Sequence, residues 1–133
     1  MIRGIVFSCF DLLHAGHILM LKDAKSQCDY LVVGLQTDPT IDRPEKNKPI
    51  QSLKERKIQL EAVKYIDDIF VYDTEDSLID LLKLVKPDIR ILGSDYLGKS
   101  FTGDDLDIPI HYHERNHDYS TSDLRRKIYE EEK

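Results

Sequence analysis

Cysteine is scarce in this chain: Cys9 and Cys28 are the only two in 133 residues. Two thiols without partner histidines beside them do not make a zinc site, and in a reducing compartment they are expected to be free. Cys28 reads as a small core residue, and Cys9 as one lying beside a site. Long apolar runs are missing too, and nothing approaches the roughly 20 consecutive residues that a membrane-spanning helix needs. Positive charge is short as well: 19 Lys and Arg stand against 25 Asp and Glu, for a net charge of −6. That balance argues against a general nucleic-acid binder. Repeats and low-complexity stretches are absent. Met1-Ile2-Arg3-Gly4 runs straight into an apolar segment, which leaves no room for a signal peptide and predicts a cytoplasmic protein.

What is present is a composition of 41% hydrophobic and 33% charged residues, that of a soluble globular protein. The length suits a single domain over residues 1–133 with a real core. Strand and helix patterns alternate throughout. Ile2–Ser8 reads as the first strand, and helical spacing of Ile18, Leu21, Ala24 and Cys28 gives a helix over about Gly16–Ser26. Tyr30–Leu35 is a continuous apolar run suited to a strand buried on both faces. A polar loop from Gln36 to Gln51 carries Pro39, Pro44 and Pro49 with Arg43, Lys46 and Lys48. Ser52-Leu53-Lys54-Glu55 is a capping box opening a helix to about Lys64. Then come a strand at Ile69–Tyr72, a helix over Glu75–Val85 stopped by Lys86-Pro87, and a strand at Ile89–Leu92. A short strand at Ile108–Tyr112, whose Pro109 suits a sheet edge, precedes a last helix from about Ser120. This alternation predicts an α/β fold: a Rossmann-like open parallel sheet of about five strands, order 3-2-1-4-5, with helices on both faces. Ligands in such sheets sit beyond the carboxyl ends of the strands where the order reverses, here between strands one and four. The turns at Ser8–His17 and Gly93-Ser94-Asp95 then face each other across one crevice.

The first turn carries the chemistry. A strand feeding a helix through Ser8-Cys9-Phe10-Asp11-Leu12-Leu13-His14-Ala15-Gly16-His17 presents bare N–H groups and the positive end of a helix dipole, which favours phosphate. Gly16, lacking a Cβ, lets backbone approach a ligand. His14 and His17, three apart, can face one anion and stabilise charge that grows during phosphoryl chemistry. Spacing alone supports equally a helix cap with a half-buried ring. Ser120-Thr121-Ser122 is an N-cap cluster that either only caps the last helix or offers a second phosphate site, with Arg115 upstream as a guanidinium fork. His111 and His113 share one side of the fifth strand and read as edge-strand side chains, not a metal site.

The run from Cys9 to His17 resembles the H-x-G-H signature of the cytidylyltransferase-like nucleotidyltransferases, most of all the glycerol-3-phosphate cytidylyltransferase branch. Leu92–Lys99 is similar to the segment after strand four there, and Arg115, Ser120 and Thr121 match R-T-x-G-x-S-T-T, with Ser122 a conservative change. The resemblance implies attack by a substrate phosphate on the α-phosphorus of CTP, with pyrophosphate leaving and magnesium accompanying the nucleotide. It assigns catalysis to His14, His17, Lys46 and Arg115. Nucleotide binding falls to Cys9, Phe10, His14, Gly16, His17, Lys48, Asp95, Arg115, Ser120, Thr121 and Ser122. Lys46, Arg56 and Asp11 are candidates for acceptor contacts, Asp11 equally for the ion or a helix cap. A homodimer is expected.

The departures concern the acceptor. Asn116-His117-Asp118-Tyr119 replaces T-x-G-x, putting a carboxylate beside the phosphates, and the helix from Glu75 lacks an early lysine. The expected activity is cytidylyl transfer to a small phosphorylated polyol such as glycerol 3-phosphate. The alternatives are phosphoethanolamine, phosphocholine or a sugar phosphate as acceptor, ATP as donor, or a non-catalytic nucleotide sensor. A flavodoxin-like carrier fits the fold but gives no reason for the histidine turn.

Overall fold

A computed structural model describes residues 1–114 and 119–132. Its elements are β1 (Arg3–Ser8), α1 (Ala15–Ser26), β2 (Tyr30–Gln36), α2 (Leu53–Glu61), β3 (Asp68–Tyr72), α3 (Glu75–Val85), β4 (Ile89–Gly93), β5 (Ile110–His113) and α4 (Thr121–Glu131). The five strands form one sheet in the order β3-β2-β1-β4-β5, every neighbouring pair parallel. This is the topology expected from the alternation of periods. β1 pairs with β2 from Arg3↔Tyr30 to Ser8↔Leu35, and with β4 through Gly4↔Ile89 and Ile5↔Arg90. The order reverses between β1 and β4.

Alternate residues of the central strands feed two cores. Val6, Val33, Leu35 and Ile91 pack with Leu21 and Ala24 of α1 and Leu60 of α2 on one face. Ile5, Val32 and Tyr72 pack with Leu78, Leu81, Leu82 and Val85 of α3 on the other. Helices therefore cover both faces, and the period-2 alternation of β1 decides which residue meets which helix. Phe7, two residues after Ile5, stands on the α3 side, and its ring fits there because Gly34 opposite has no Cβ to collide with it. From there it meets Tyr72 edge-on, with centroids 5.4 Å apart.

Element ends differ from the sequence expectation by one to three residues, with local causes. α2 stops at Glu61, and Ala62 takes the capping position instead of the helix reaching Lys64. β5 begins at Ile110 because Pro109 has no N–H for the ladder; its carbonyl accepts from Arg90 N–H at 2.8 Å. α3 ends where Lys86 turns left-handed at φ 51°, ahead of Pro87. Among the described residues, no helix is long and apolar enough to cross a membrane.

Candidate active site

A cavity of about 530 Å³ opens at the carboxyl ends of the strands, over the point where the sheet order reverses. The turn after β1 contributes Ser8, Cys9, His14, Gly16 and His17 to its lining, the turn after β4 contributes Asp95, and the start of α4 contributes Tyr119, Ser120 and Thr121. The loop after β2 adds Pro39, Arg43 and Lys46.

The capping reading of the histidine pair holds, and the same two rings line the cavity. His14 is the N-cap of α1, its Nδ1 accepting from Gly16 N–H at 3.0 Å, while His17 Nδ1 accepts from His14 N–H at 3.2 Å. The box closes in both directions, as Ser-x-x-Glu boxes do, but with imidazoles. Because each Nδ1 accepts a backbone proton, each neutral ring carries its own proton on Nε2. The rings lie 3.9 Å apart at 31°. The backbone thus sets the tautomer and orientation of two N–H donors at a helix N-terminus.

A strained turn supports the box. Phe10 and Leu12 sit at φ 49° and 52°, a region costly for residues with a Cβ. Between them Asp11, 3% exposed, accepts from the Ile50 and Gln51 N–H groups at 3.0 Å each and from Arg125 Nη2 of α4 at 2.8 Å. Its own carbonyl accepts from Thr121 Oγ1 at 3.0 Å. Burial alone would raise the Asp11 pKa, but those amides and Arg125 hold it below the usual carboxylate range. Arg56, 2% exposed, donates to the carbonyls of Cys9, Gln36 and Thr37 at 2.6–2.9 Å and to Gln51 at 3.2 Å.

These contacts correct three expectations. Asp11 neither caps α1 nor faces an acceptor; it ties the turn to residues 50–51 and to α4. Arg56 is no acceptor ligand, because it is buried and four of its five N–H donors go to carbonyls, tying the turns after β1 and β2 together. Phe10 is core, 1% exposed, its ring 5.4 Å from that of His17, and does not line the cavity. Apolar packing took it because the left-handed turn points it inward. Lys48 and Ser122 are exposed and outside the lining, the lysine ammonium 3.9 Å from Asp38. Ser120 caps α4 by accepting from Asp123 N–H at 3.0 Å and also lines the cavity. Arg115, with residues 116–118, lies outside the described residues.

The fifth strand holds something the sequence reading passed over. His111 Nε2 and His113 Nδ1 both reach the Asp23 carboxylate of α1, at 3.1 and 2.7 Å. Burial opposes ionisation of Asp23, but the two histidines outweigh it and its pKa falls below the ordinary value. His113 lines the cavity, and its Nε2 is buried with no hydrogen-bond partner. The inner wall was also unforeseen: Phe7, Tyr72, Glu75, Arg90, Phe101 and Thr102. Arg90 could have been flagged, since a charge in Ile89-Arg90-Ile91-Leu92 breaks an otherwise apolar central strand.

The comparison with known families decides the assignment, because the cytidylyltransferase-like model matches residues 5–127, cavity and both motif ends included. The chain belongs to the cytidylyltransferase-like family. Members of this family are nucleotidyltransferases, and the α/β fold agrees. Relatives include the bifunctional protein HldE of Helicobacter pylori strain HPAG1, 43% identical over 129 residues that cover 95% of this chain and 28% of that protein. HldE of Wolinella succinogenes is 37% identical over the same length, 27% of its own. The chain thus spans just over a quarter of the length of these curated relatives. Among solved structures, a lipopolysaccharide core biosynthesis protein of Thermoplasma volcanium superposes with a TM-score of 0.70 at 29% identity, covering 90% of this chain and 99% of that one. A pantoate-β-alanine ligase of Francisella tularensis, with TM-score 0.62 and 20% identity over 97% of this chain and 70% of its own, shares the fold.

Proposed function

We propose that the chain transfers a nucleotidyl group from a nucleoside triphosphate to a small phosphorylated acceptor. An acceptor phosphate oxygen, already anionic, forms a bond to the α-phosphorus; the bond from that phosphorus to its bridging oxygen breaks, and pyrophosphate leaves. No proton transfer and no covalent enzyme intermediate are needed, so catalysis is positioning and charge stabilisation. The observation that carries this reading is the interlocked His14/His17 box at the α1 N-terminus, which aims two Nε2–H donors from a rigid backbone frame. Lys46 of the β2–α2 loop and the α4 N-terminus at Ser120 and Thr121 bring further positive potential to the same cavity. Arg115 is proposed to join them. Among the described residues no group of three or more His, Cys, Asp or Glu side chains is placed to hold a metal ion. We propose that magnesium enters bound to the triphosphate substrate.

The relatives shift the favoured acceptor. Glycerol 3-phosphate rested on motif resemblance, whereas the neighbour matched over 99% of its length is named for lipopolysaccharide core biosynthesis, a saccharide product. We take a sugar phosphate as the acceptor, with ATP beside CTP as donor; cytidylyl transfer to glycerol 3-phosphate is the second reading, carried by the Cys9–His17 motif. Pyrophosphate release tests this with ATP and CTP crossed against glucose 1-phosphate, glycerol 3-phosphate and phosphocholine. Release that requires both a triphosphate and a sugar phosphate is the expected outcome. Tight triphosphate binding with no release for any pair would leave a nucleotide sensor in its place.

A further inference from the structure

The inner wall of the cavity contains a buried cation that no carboxylate meets in an ion pair, although Glu75 and Asp104 act on it from farther away. Arg90 is 3% exposed. Its guanidinium carbon lies 5.0 Å from the Phe7 ring centroid and 5.2 Å from that of Phe101, so two aromatic faces fix its position. Nη1 donates to the Thr102 carbonyl at 2.5 Å, and Nε is buried with no hydrogen-bond partner. Among the described residues no carboxylate comes within ion-pair distance of it. Glu75, which shares this wall, is held by Arg43 at 3.4 Å and by the Thr102 hydroxyl at 2.5 Å. A buried charge left unpaired is costly, and an arginine fork with open N–H groups matches the two oxygens of a phosphate or carboxylate.

We infer that Arg90 is the anion receptor of an acceptor subsite, built for a phosphorylated, hydroxyl-rich molecule and closed to acceptors bearing an ammonium group. The inference rests on the nucleotidyltransferase reading and adds the acceptor class to it. Sheet geometry separates this subsite from the triphosphate. Arg90 is in register with Ile5, and Ile5 and Phe7 face α3, while the histidine box belongs to α1 on the opposite face. Donor and acceptor then approach from the two faces and meet over the carboxyl ends of β1 and β4. Aromatic faces of Phe7 and Phe101 suit the C–H faces of a sugar, and Tyr72, Glu75 and Thr102 supply hydrogen-bonding groups beside them. The lining's fixed charges, Arg43, Lys46 and Arg90 against Glu75 and Asp95, sum to a positive wall that disfavours phosphocholine and phosphoethanolamine.

The test uses the full chain and its R90Q and R90K variants. Calorimetric titration measures glucose 1-phosphate, glycerol 3-phosphate and phosphocholine, and ATP and CTP separately. R90Q should weaken glucose 1-phosphate at least tenfold, R90K about threefold to tenfold, with nucleotide affinity kept within twofold in both. Wild-type protein should bind phosphocholine at least tenfold more weakly than glycerol 3-phosphate. The inference is overturned if the sugar phosphate binds R90Q as well as wild type, if the nucleotide weakens in parallel, if phosphocholine binds as well as glycerol 3-phosphate, or if wild type binds no phosphate probe. Should R90Q fail to fold, unchanged affinity in R90K overturns it equally. Arg90-dependent binding without pyrophosphate release would sink the enzymatic reading and leave this one standing. Release insensitive to Arg90 would do the reverse.

Discussion

The cavity has two walls built in opposite ways. The histidine wall is one contiguous stretch from Ser8 to His17, in which each functional ring is oriented by backbone two or three residues away. The inner wall is assembled from β1, β3, β4, the start of α3 and the loop at residues 101–102, and no two of its polar groups are near neighbours in sequence except Tyr72 and Glu75. The first holds its geometry by capping, the second by packing. Substitutions should therefore fail differently on the two sides: local chemistry lost on one, acceptor discrimination lost on the other.

The largest effect expected is on the histidine wall. His17→Ala removes a donor aimed at developing phosphate charge and should lower kcat by about two to three orders of magnitude, roughly 3–4 kcal/mol in the barrier. His14 carries a second duty as N-cap, so His14→Ala should also lose about 1 kcal/mol of stability. His14→Asn separates the two, since asparagine restores the cap but not the imidazole. Thermal melts and steady-state rates on the three variants read this directly; recovery of activity in His14→Asn would reduce that histidine to a cap.

Next comes the frame beneath that wall. Arg56→Met leaves four carbonyls, those of Cys9, Gln36, Thr37 and Gln51, without their buried donor. The expected loss is about 2–4 kcal/mol in urea unfolding. Activity should fall with it, because Cys9 opens the strained turn that delivers His14. A variant as stable as wild type would mean that water replaces the guanidinium and the frame is redundant.

How much was legible follows the same division. The sheet order, both cap clusters and the opposed turns were readable because period-2 and period-3.6 patterns and capping residues are local signals. The capping role of His14 was legible only as one of two rival readings, since spacing cannot tell whether a ring caps a helix, meets a ligand or does both. Asp11 and Arg56 were misplaced for one reason: a charged residue near a motif looks like a ligand until the long-range carbonyls and amides that bury it are known. Arg90 and His113 were missed because their partners, Phe101 and Asp23, lie 11 and 90 residues away.

His113 stands beside both walls, so Asp23→Asn sharpens the contrast at smaller scale. In the folded protein Asp23 titrates below its ordinary value near 3.9. It therefore contributes stability at higher pH, and that contribution is lost as pH falls through the lowered folded value. The side chain is 29% exposed, so solvent screening limits the gain to about 1 kcal/mol or less. Urea unfolding from pH 7 down to about pH 2 should show wild type losing more stability on acidification than D23N, with the two curves converging at the acid end. Parallel curves would deny the carboxylate its hold on the two imidazoles.

The smallest effect concerns the loop that joins the walls, where Arg43 meets Glu75 on the inner side and Lys46 lines the cavity. Residues 41–48 are all exposed, carry Pro44 of the loop's three prolines and have little apolar surface to hold them, so bound phosphate would supply ordering that the loop's own packing does not. Trypsin reports on this with unusual economy. Arg43 precedes Pro44 and Lys48 precedes Pro49, bonds that trypsin cuts poorly, which leaves Lys46–Asn47 as the sensitive bond of the loop. Saturating triphosphate should slow its cleavage about threefold to tenfold, on the order of 1 kcal/mol of linkage between ligand and the closed loop. Glucose 1-phosphate alone should protect less, because its subsite lies against Arg90 and reaches the loop only through Arg43. Equal protection by both would merge the two walls into one phosphate site, and no protection by triphosphate would remove Lys46 from the nucleotide.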